Sequence, residues 1–246
     1  IIPSRLESSR LPRKPLVDIA GLPMIIHVYL RCLNATTLDD VYVATDSKEI
    51  ANVVSSYGGK YIMTSKDHKT GTDRIAEAAE KIDCDIVVNI QGDEALVDPS
   101  HIDLVVNSIL KNKDTNISLL VSPCNSYNSP SHIKTVVDEN MNVMYFSRSD
   151  IPSSARHEKA PMLKGYHIVP FRKSFLLEFS GWKHGELESI EYCEYLRILE
   201  KGFKIKAVFI DYDAVSVDDE ETLLYVRNKM KFDPIFKTYS QLVRHN

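Results

Sequence analysis

Ile86-Val87-Val88-Asn89-Ile90-Gln91-Gly92-Asp93-Glu94 passes from a nearly continuous apolar run into an amide, a glycine and two carboxylates. A strand without clean polar alternation is covered on both faces, as strands of parallel sheets are. The flanking segments agree. Residues 41–46 read as a strand, and 47–57 as a helix capped by Ser47 and stopped by Gly58-Gly59. Residues 60–63 read as a short strand. In the helix expected over 72–82, Ile75, Ala78, Ala79 and Ile82 share a face, and Pro99 opens another helix through Leu110. This alternation predicts an α/β fold with a mostly parallel sheet and right-handed crossovers. After Val121 the rhythm changes. Residues 133–137 and 143–146 read as paired strands around a turn at 138–140, and 166–171 as a further strand; 153–162 is polar and expected to be mobile. The reading is a single domain over 1–246 with antiparallel strands inserted at about 122–172. Residues 188–201 return to helix, 205–210 to strand and 219–230 to helix.

Open parallel sheets bind ligands beyond the carboxyl ends of their strands. Three polar clusters fall there. The first follows Ile1-Ile2, the end of a buried strand. Its loop carries Arg5, Arg10 and Lys14 with the hydroxyls of Ser8 and Ser9, and Pro12 and Pro15 restrict its backbone. Arginines fork onto phosphate oxygens and a lysine adds a mobile point charge, so the loop fits a polyphosphate. A solvated basic loop is the alternative. The second cluster is Thr45-Asp46. The third is Gln91-Gly92-Asp93-Glu94, where Gly92 lets the backbone approach a ligand. Asp93 fits a ligand to Mg²⁺, which takes a few carboxylate oxygens alongside water and phosphate, and equally a turn cap. Asp218, after Val215-Ser216-Val217, fits the same ion or the N-cap of the last long helix.

Two further segments have two readings each, and a third has one. Thr70-Gly71-Thr72-Asp73-Arg74 offers small residues against which a base or ribose can lie, or a helix start capped by Thr72. Ser147-Arg148 ends a strand with a cation for a substrate carboxylate or phosphate, or for a surface ion pair. Glu188, Glu191 and Glu194 stand at helical spacing near Arg197, the pattern of a solvated helix face.

Bulk properties exclude several classes. A net charge of −4 argues against a general nucleic-acid binder. No apolar stretch is long enough to span a bilayer. No signal peptide is visible, and the start without Met points to a few absent leading residues. Cys32, Cys84, Cys124 and Cys193 lack CxxC spacing, which argues against zinc and for a reducing, cytoplasmic location. The histidines show no HxH or HExxH spacing.

Taken in order, the motifs resemble the 3-deoxy-manno-octulosonate (Kdo) cytidylyltransferases, or CMP-Kdo synthetases, from Ile2-Pro3 through Arg227. They are Ser8-Ser9-Arg10-Leu11-Pro12-x-Lys14-Pro15-Leu16, Val43-Ala44-Thr45-Asp46, Met63-Thr64 with Asp67-His68, Gly71-Thr72-Asp73-Arg74, Val88 through Glu94, Tyr145-Phe146-Ser147-Arg148, and Val217-Asp218. The resemblance implies a three-layer, Rossmann-like nucleotidyltransferase fold. It implies transfer of CMP from CTP to the anomeric hydroxyl of an eight-carbon acidic sugar, with release of pyrophosphate, in a homodimer joined through the inserted strands. By the same resemblance, Arg10 and Lys14 hold the triphosphate, with Arg5, Ser8 and Ser9 in their loop. Gly71, Thr72 and Gln91 lie near cytidine, Asp93 and Asp218 bind Mg²⁺, Ser147 and Arg148 lie on the acceptor side, and Glu194 binds the sugar.

The pattern is also broken in places. Arg13 stands where the family pattern has glycine, and Ala95 where it has proline. Gly165, Val169 and Tyr195 replace a histidine, a tyrosine and a glutamine in the sugar-contacting segments, with His167 between the first two. Losing hydrogen-bonding groups from a polar pocket changes which ligand it accepts. Kdo or a Kdo-like acid is therefore expected as acceptor; a phosphonate or other small acid, or CTP binding without turnover, are the alternatives.

Overall fold

A computed structural model describes every residue except 9, 158, 167 and 244–246. The chain forms two compact units: Ile1–Cys84, Asn89–Asp103 and Ala214 onward in the first, Asp85–Val88 and Leu104–Asp213 in the second. In the first, β1 (Ile2–Ser4) leads to a short hairpin of β2 (Asp18–Ile19) and β3 (Leu22–Pro23), then α1 (Met24–Cys32), β4 (Tyr42–Thr45), α2 (Lys48–Ser56), β5 (Lys60–Met63) and α3 (Gly71–Glu80). β6 (Ile86–Ile90) and α4 (Pro99–Leu110) are shared between the units, and α8 (Glu220–Met230) and α9 (Pro234–Lys237) return to the first. The strands β1, β4 and β5 are parallel, with Ile2 opposite Val43 and Tyr42 opposite Lys60. The Ile90 N–H donates to the Ile1 carbonyl at 3.2 Å, which brings the exit of β6 beside β1. The loop after Ser4 and the turn after Ile90 thus leave from one edge.

Local chemistry explains the helix limits. Ser47 Oγ accepts from the Ile50 N–H at 3.3 Å, and Gly58 takes φ 75° just past the end of α2. Thr70, rather than Thr72, caps α3, because Thr70 and Asp73 satisfy each other's backbone N–H in a capping box. Thr72 lies inside the first turn, buried. Asp219 likewise caps α8 through a reciprocal pair with Thr222. Asp218 is left outside the helix.

The core beneath this edge packs Leu11, Ile19, Met24, Ala95, Val217 and Leu223. His27 is buried beside it. Its Nε2–H donates to the Ile19 carbonyl at 2.7 Å, so Nδ1 accepts from the Tyr239 hydroxyl at 3.0 Å. Burial holds its pKa down at about 4, from the usual 6.5. Above pH 6.5 the imidazole is neutral whether the chain is folded or not, and this packing is intact. As pH falls from there towards 4, the unfolded chain takes a proton that the folded one refuses, and up to about 3 kcal/mol of stability is lost. Melting temperatures recorded across that range are expected to fall, and to fall less for His27→Gln; equal slopes would remove His27 from the acid response.

The second unit is built on a five-stranded mixed sheet in the order β12-β7-β10-β8-β9. These are β7 (Ser118–Cys124), β8 (Lys134–Val137), β9 (Val143–Ser147), β10 (Met162–Tyr166) and β12 (Lys206–Phe209), with α5 (Lys173–Ser180), α6 (Glu186–Glu191) and α7 (Leu196–Glu200). Only β12 and β7 are parallel; β8 and β9 pair antiparallel, as expected from the two runs around the 138–140 turn. Two expectations need correction. The strand read at 166–171 is two strands. β10 starts earlier, where buried Met162 pairs with Cys124, and β11 (Ile168–Arg172) pairs with β6. The helix read at 188–201 breaks after Glu191, where Tyr192 turns left-handed at φ 51°. Its glutamates do not form a solvated face: Glu188 is buried against Arg197 at 2.9 Å, and Glu191 bonds Ser147 and Arg148. The helical spacing was real, but these carboxylates have buried or strand-end partners.

Candidate active site

In the first unit the cationic loop is anchored before it reaches solvent. Leu11 is buried in the core, and its N–H donates to Ser8 Oγ at 3.4 Å. A single 3₁₀ turn over Lys14–Leu16, with Pro15 buried, then aims Lys14 inward. Arg13 enters that turn left-handed at φ 56°, and its guanidinium is held by Glu49. The glycine of the family pattern suits this conformation better than arginine does.

Lys14 Nζ lies 2.7 Å from Asp93 Oδ2 and 3.1 Å from Asp218 Oδ1, and Arg10 Nη2 lies 3.0 Å from the same Asp218 oxygen. Burial pulls the Lys14 pKa down, but the charges and hydrogen bonds of the two aspartates outweigh it and hold the amine above its usual range. Two carboxylates distant in sequence meet because the backbones around them are bonded together. The Val217 N–H donates to the Asp93 carbonyl at 3.0 Å, and Ser216 Oγ donates to Glu94 Oε1 at 2.5 Å. Since Asp219 caps α8, the carboxylate of Asp218 faces Lys14 and Arg10 instead.

These groups border a cleft of about 800 Å³. Arg5, Ser8, Arg10 and Lys14 line it from the loop after β1, Gly71 from the start of α3, Gln91 and Asp93 from the turn after β6, and Asp218 from the segment before α8. Thr72 does not line it; its hydroxyl accepts from buried Asn89 at 3.5 Å, and Asn89 accepts from Gln91 Nε2 at 3.2 Å. Ser9 lies outside the described residues. Arg74 joins the site as well. Its guanidinium borders the cleft, donates to Thr64 Oγ1 at 2.6 Å and pairs with Asp46 at 3.3 Å. Its signal was its place one turn after Gly71. The Ser216–Glu94 bond had no sequence signal, because nothing in either segment marks the other as its partner.

Gly92 permits a close approach of two backbones beside the cleft. A Cβ there would lie 2.9 Å from the Pro3 carbonyl oxygen, with Ile2 and Ile25 at 3.6 Å. Gly92→Ala is therefore expected to cost about 1–3 kcal/mol, lowering the melting temperature by several degrees. Differential scanning calorimetry measures it, and an unchanged midpoint would refute the contact.

The residues fit a hard divalent cation. Asp93 and Asp218 already converge on one cationic atom, Lys14 Nζ. Among the described residues no group of three or more His, Cys, Asp or Glu could hold a metal. A two-carboxylate set suits Mg²⁺, which takes its other ligands from phosphate and water.

The other predicted residues belong to the second unit. Ser147 and Arg148 end β9 and are bonded to Glu191. A Cβ on Gly165 would meet only Thr135 Oγ1, at 3.8 Å. Val169 is buried, and Tyr195 packs its ring 6.2 Å from that of Phe146 and 6.3 Å from that of Phe171. Glu194 sits in the break between α6 and α7. His167 lies outside the described residues.

Comparison with known proteins decides the family. A family model described as cytidylyltransferase matches residues 1–205. A 3-deoxy-manno-octulosonate cytidylyltransferase from Trichlorobacter lovleyi is 38% identical, over 94% of this chain and 97% of its own. The chain belongs to the family of 3-deoxy-manno-octulosonate cytidylyltransferases. An 8-amino-3,8-dideoxy-manno-octulosonate cytidylyltransferase from Shewanella halifaxensis is also 38% identical, over 95% of this chain and 98% of its own. A solved CMP:2-keto-3-deoxy-manno-octonic acid synthetase complexed with CTP superposes with a TM-score of 0.90 at 36% identity, covering 94% of this cytidylyltransferase and 97% of that chain. The α/β architecture expected from the strand and helix rhythm, and the nucleotidyltransferase fold that the resemblance implied, are therefore the fold of this cytidylyltransferase.

Proposed function

We propose that the chain transfers CMP from CTP to the anomeric hydroxyl of Kdo or of a Kdo-like acid. The observation that carries this is the convergence of Lys14, Arg10, Asp93 and Asp218 on one cleft, in a chain whose relatives are named for this reaction. The acceptor oxygen bonds to the α-phosphorus of CTP, the bond from that phosphorus to the bridging oxygen breaks, and pyrophosphate leaves. The hydroxyl proton passes to solvent.

Arg5, Arg10 and Lys14 neutralise the triphosphate and the departing pyrophosphate. Gly71 and Gln91 border the space for cytidine and ribose. Asp93 and Asp218 would hold Mg²⁺, which when bound polarises the α-phosphate and lowers the pKa of the attacking hydroxyl. With Asp93 and Asp218 holding the ion, the Lys14 amine would be free to donate to a phosphate oxygen. Glu194, with Gly165, His167 and Tyr195, is assigned to the acceptor.

Relatives named for Kdo and for its 8-amino analogue are equally similar to this chain, so both acids belong in the test. The four cysteines form no disulfide among the described residues, which supports a reducing compartment. The family's homodimer is supported by the edge strand β9, whose Met144 is 61% exposed. Incubation with CTP, Mg²⁺ and each acid, followed by mass spectrometry, is expected to show the CMP–sugar adduct. CTP binding without any adduct across the acids and small phosphonates would make the chain a nucleotide binder.

A further inference from the structure

Ser147 and Arg148 have the chemistry of ligand groups, yet the second unit already uses them. Arg148 Nε donates to the Glu191 carbonyl at 2.8 Å, Nη2 to the Tyr192 carbonyl at 3.2 Å and Nη1 to the Pro130 carbonyl at 2.7 Å. The Glu191 carboxylate answers, accepting from Ser147 Oγ and from the Arg148 N–H, each at 2.8 Å. Lys134, fully buried, fixes the other side of the arginine: its ammonium donates to the Arg148 carbonyl at 2.9 Å and to the Ser129 carbonyl at 2.5 Å, and pairs with Asp150. The bonds of Ser147 and Arg148 to Glu191 and Tyr192 join the end of β9 to the end of α6.

The joined place is the break in the helix. The carbonyls that Arg148 grips are those of Glu191 and Tyr192, where α6 ends and the backbone turns left-handed. Those carbonyls lack helical partners at a C-terminus, and a guanidinium satisfies several at once. Beyond the break, buried Arg197 returns to Glu188 at 2.9 Å, and the Tyr195 ring rests near Phe146 of β9. Residues 192–195 are thus held at both ends, with Glu194 between.

Resting on the proposed function, we infer that Arg148 and Glu191 are positioning residues: a reciprocal clamp that sets the break after α6 and so fixes Glu194 for the acceptor. The arginine acts through backbone carbonyls, and its charge does not touch the sugar acid.

The test compares Arg148→Ala, Arg148→Lys, Glu191→Ala, Glu191→Gln and the double alanine variant in steady-state kinetics with CTP and Kdo. The clamp predicts a rise of about tenfold or more in the KM for Kdo in either alanine variant, with the KM for CTP little changed. The double variant is no worse than the single ones. Glu191→Gln stays near wild type, because its amide can serve both Ser147 and the Arg148 N–H. Arg148→Lys is as poor as alanine, since one ammonium does not reproduce a three-pronged fork. A lysine that restores the KM for Kdo, additive losses, or unchanged KM values would overturn the clamp.

Hydrogen exchange of the 191–196 amides gives a readout independent of turnover. It is expected to speed up in both alanine variants and not in Glu191→Gln; unchanged exchange also overturns the proposal. Wild-type enzyme that transfers CMP to no acid refutes the functional reading instead, and exchange still decides whether the clamp exists.

Discussion

Asp93→Asn is expected to lower the rate of CMP transfer about a thousandfold, some 4 kcal/mol of transition-state stabilisation. The carboxylate is one of two that meet Lys14, and it is carried by the turn after β6. Asparagine keeps the shape and one acceptor oxygen but removes the charge a divalent cation needs. Binding of CTP changes far less, within about tenfold, because Arg5, Arg10 and Lys14 still face the phosphates and one repulsive charge is gone. Single-turnover rates and equilibrium binding separate the two effects. Turnover within tenfold of wild type would remove Asp93 from the chemistry; lost binding with retained turnover at saturation would make it a binding group.

Lys14→Met is the second large effect, an expected fall of about a hundredfold or more in kcat/KM for CTP. Two losses combine. The triphosphate loses a point charge, and Asp93 and Asp218 are left beside one another without the ammonium that bridges them. Arg10 still reaches Asp218 but is largely exposed, so it replaces little of that interaction. The free variant is therefore expected to melt lower than wild type, and Mg²⁺ alone to restore part of the difference, because the ion takes the place of the ammonium. Lys14→Arg rescues only in part, since a planar fork does not fit where one compact nitrogen meets two carboxylates. Thermal shift assays with and without Mg²⁺, beside CTP kinetics, measure both halves. A Lys14→Met variant within fivefold of wild type would show that the loop binds phosphate without it.

Particular residues show where sequence sufficed. The apolar run of β6 and the capping serine of α2 announced a parallel α/β unit, because strand burial and helix caps are local properties. The loop cations were legible as a cationic lining of a ligand cleft for the same reason. Asp218 was not. Its neighbour Asp219 is an equally good cap, and only the bonds from Val217 and Ser216 to Asp93 and Glu94 separate the two roles. The glutamates of α6 show the opposite case. Their spacing is helical, but Glu191 answers Arg148, 43 residues earlier, and the helix breaks where that bond forms. Long-range partners of this kind leave no periodic trace.

Gly165, Val169 and Tyr195 depart from the family pattern in the segments proposed for the acceptor. Their replacements leave room at Gly165, a buried aliphatic at Val169 and an aromatic packed on Phe146 at Tyr195.

The most direct test is acceptor-dependent release of pyrophosphate from CTP and Mg²⁺ by the wild-type protein, with Kdo and 8-amino-3,8-dideoxy-manno-octulosonate added separately. The account predicts steady release with at least one of these acids, none without an acid, and none from Asp93→Asn on the same timescale. Release that is independent of any acid, or no release with either while CTP binds, would contradict it.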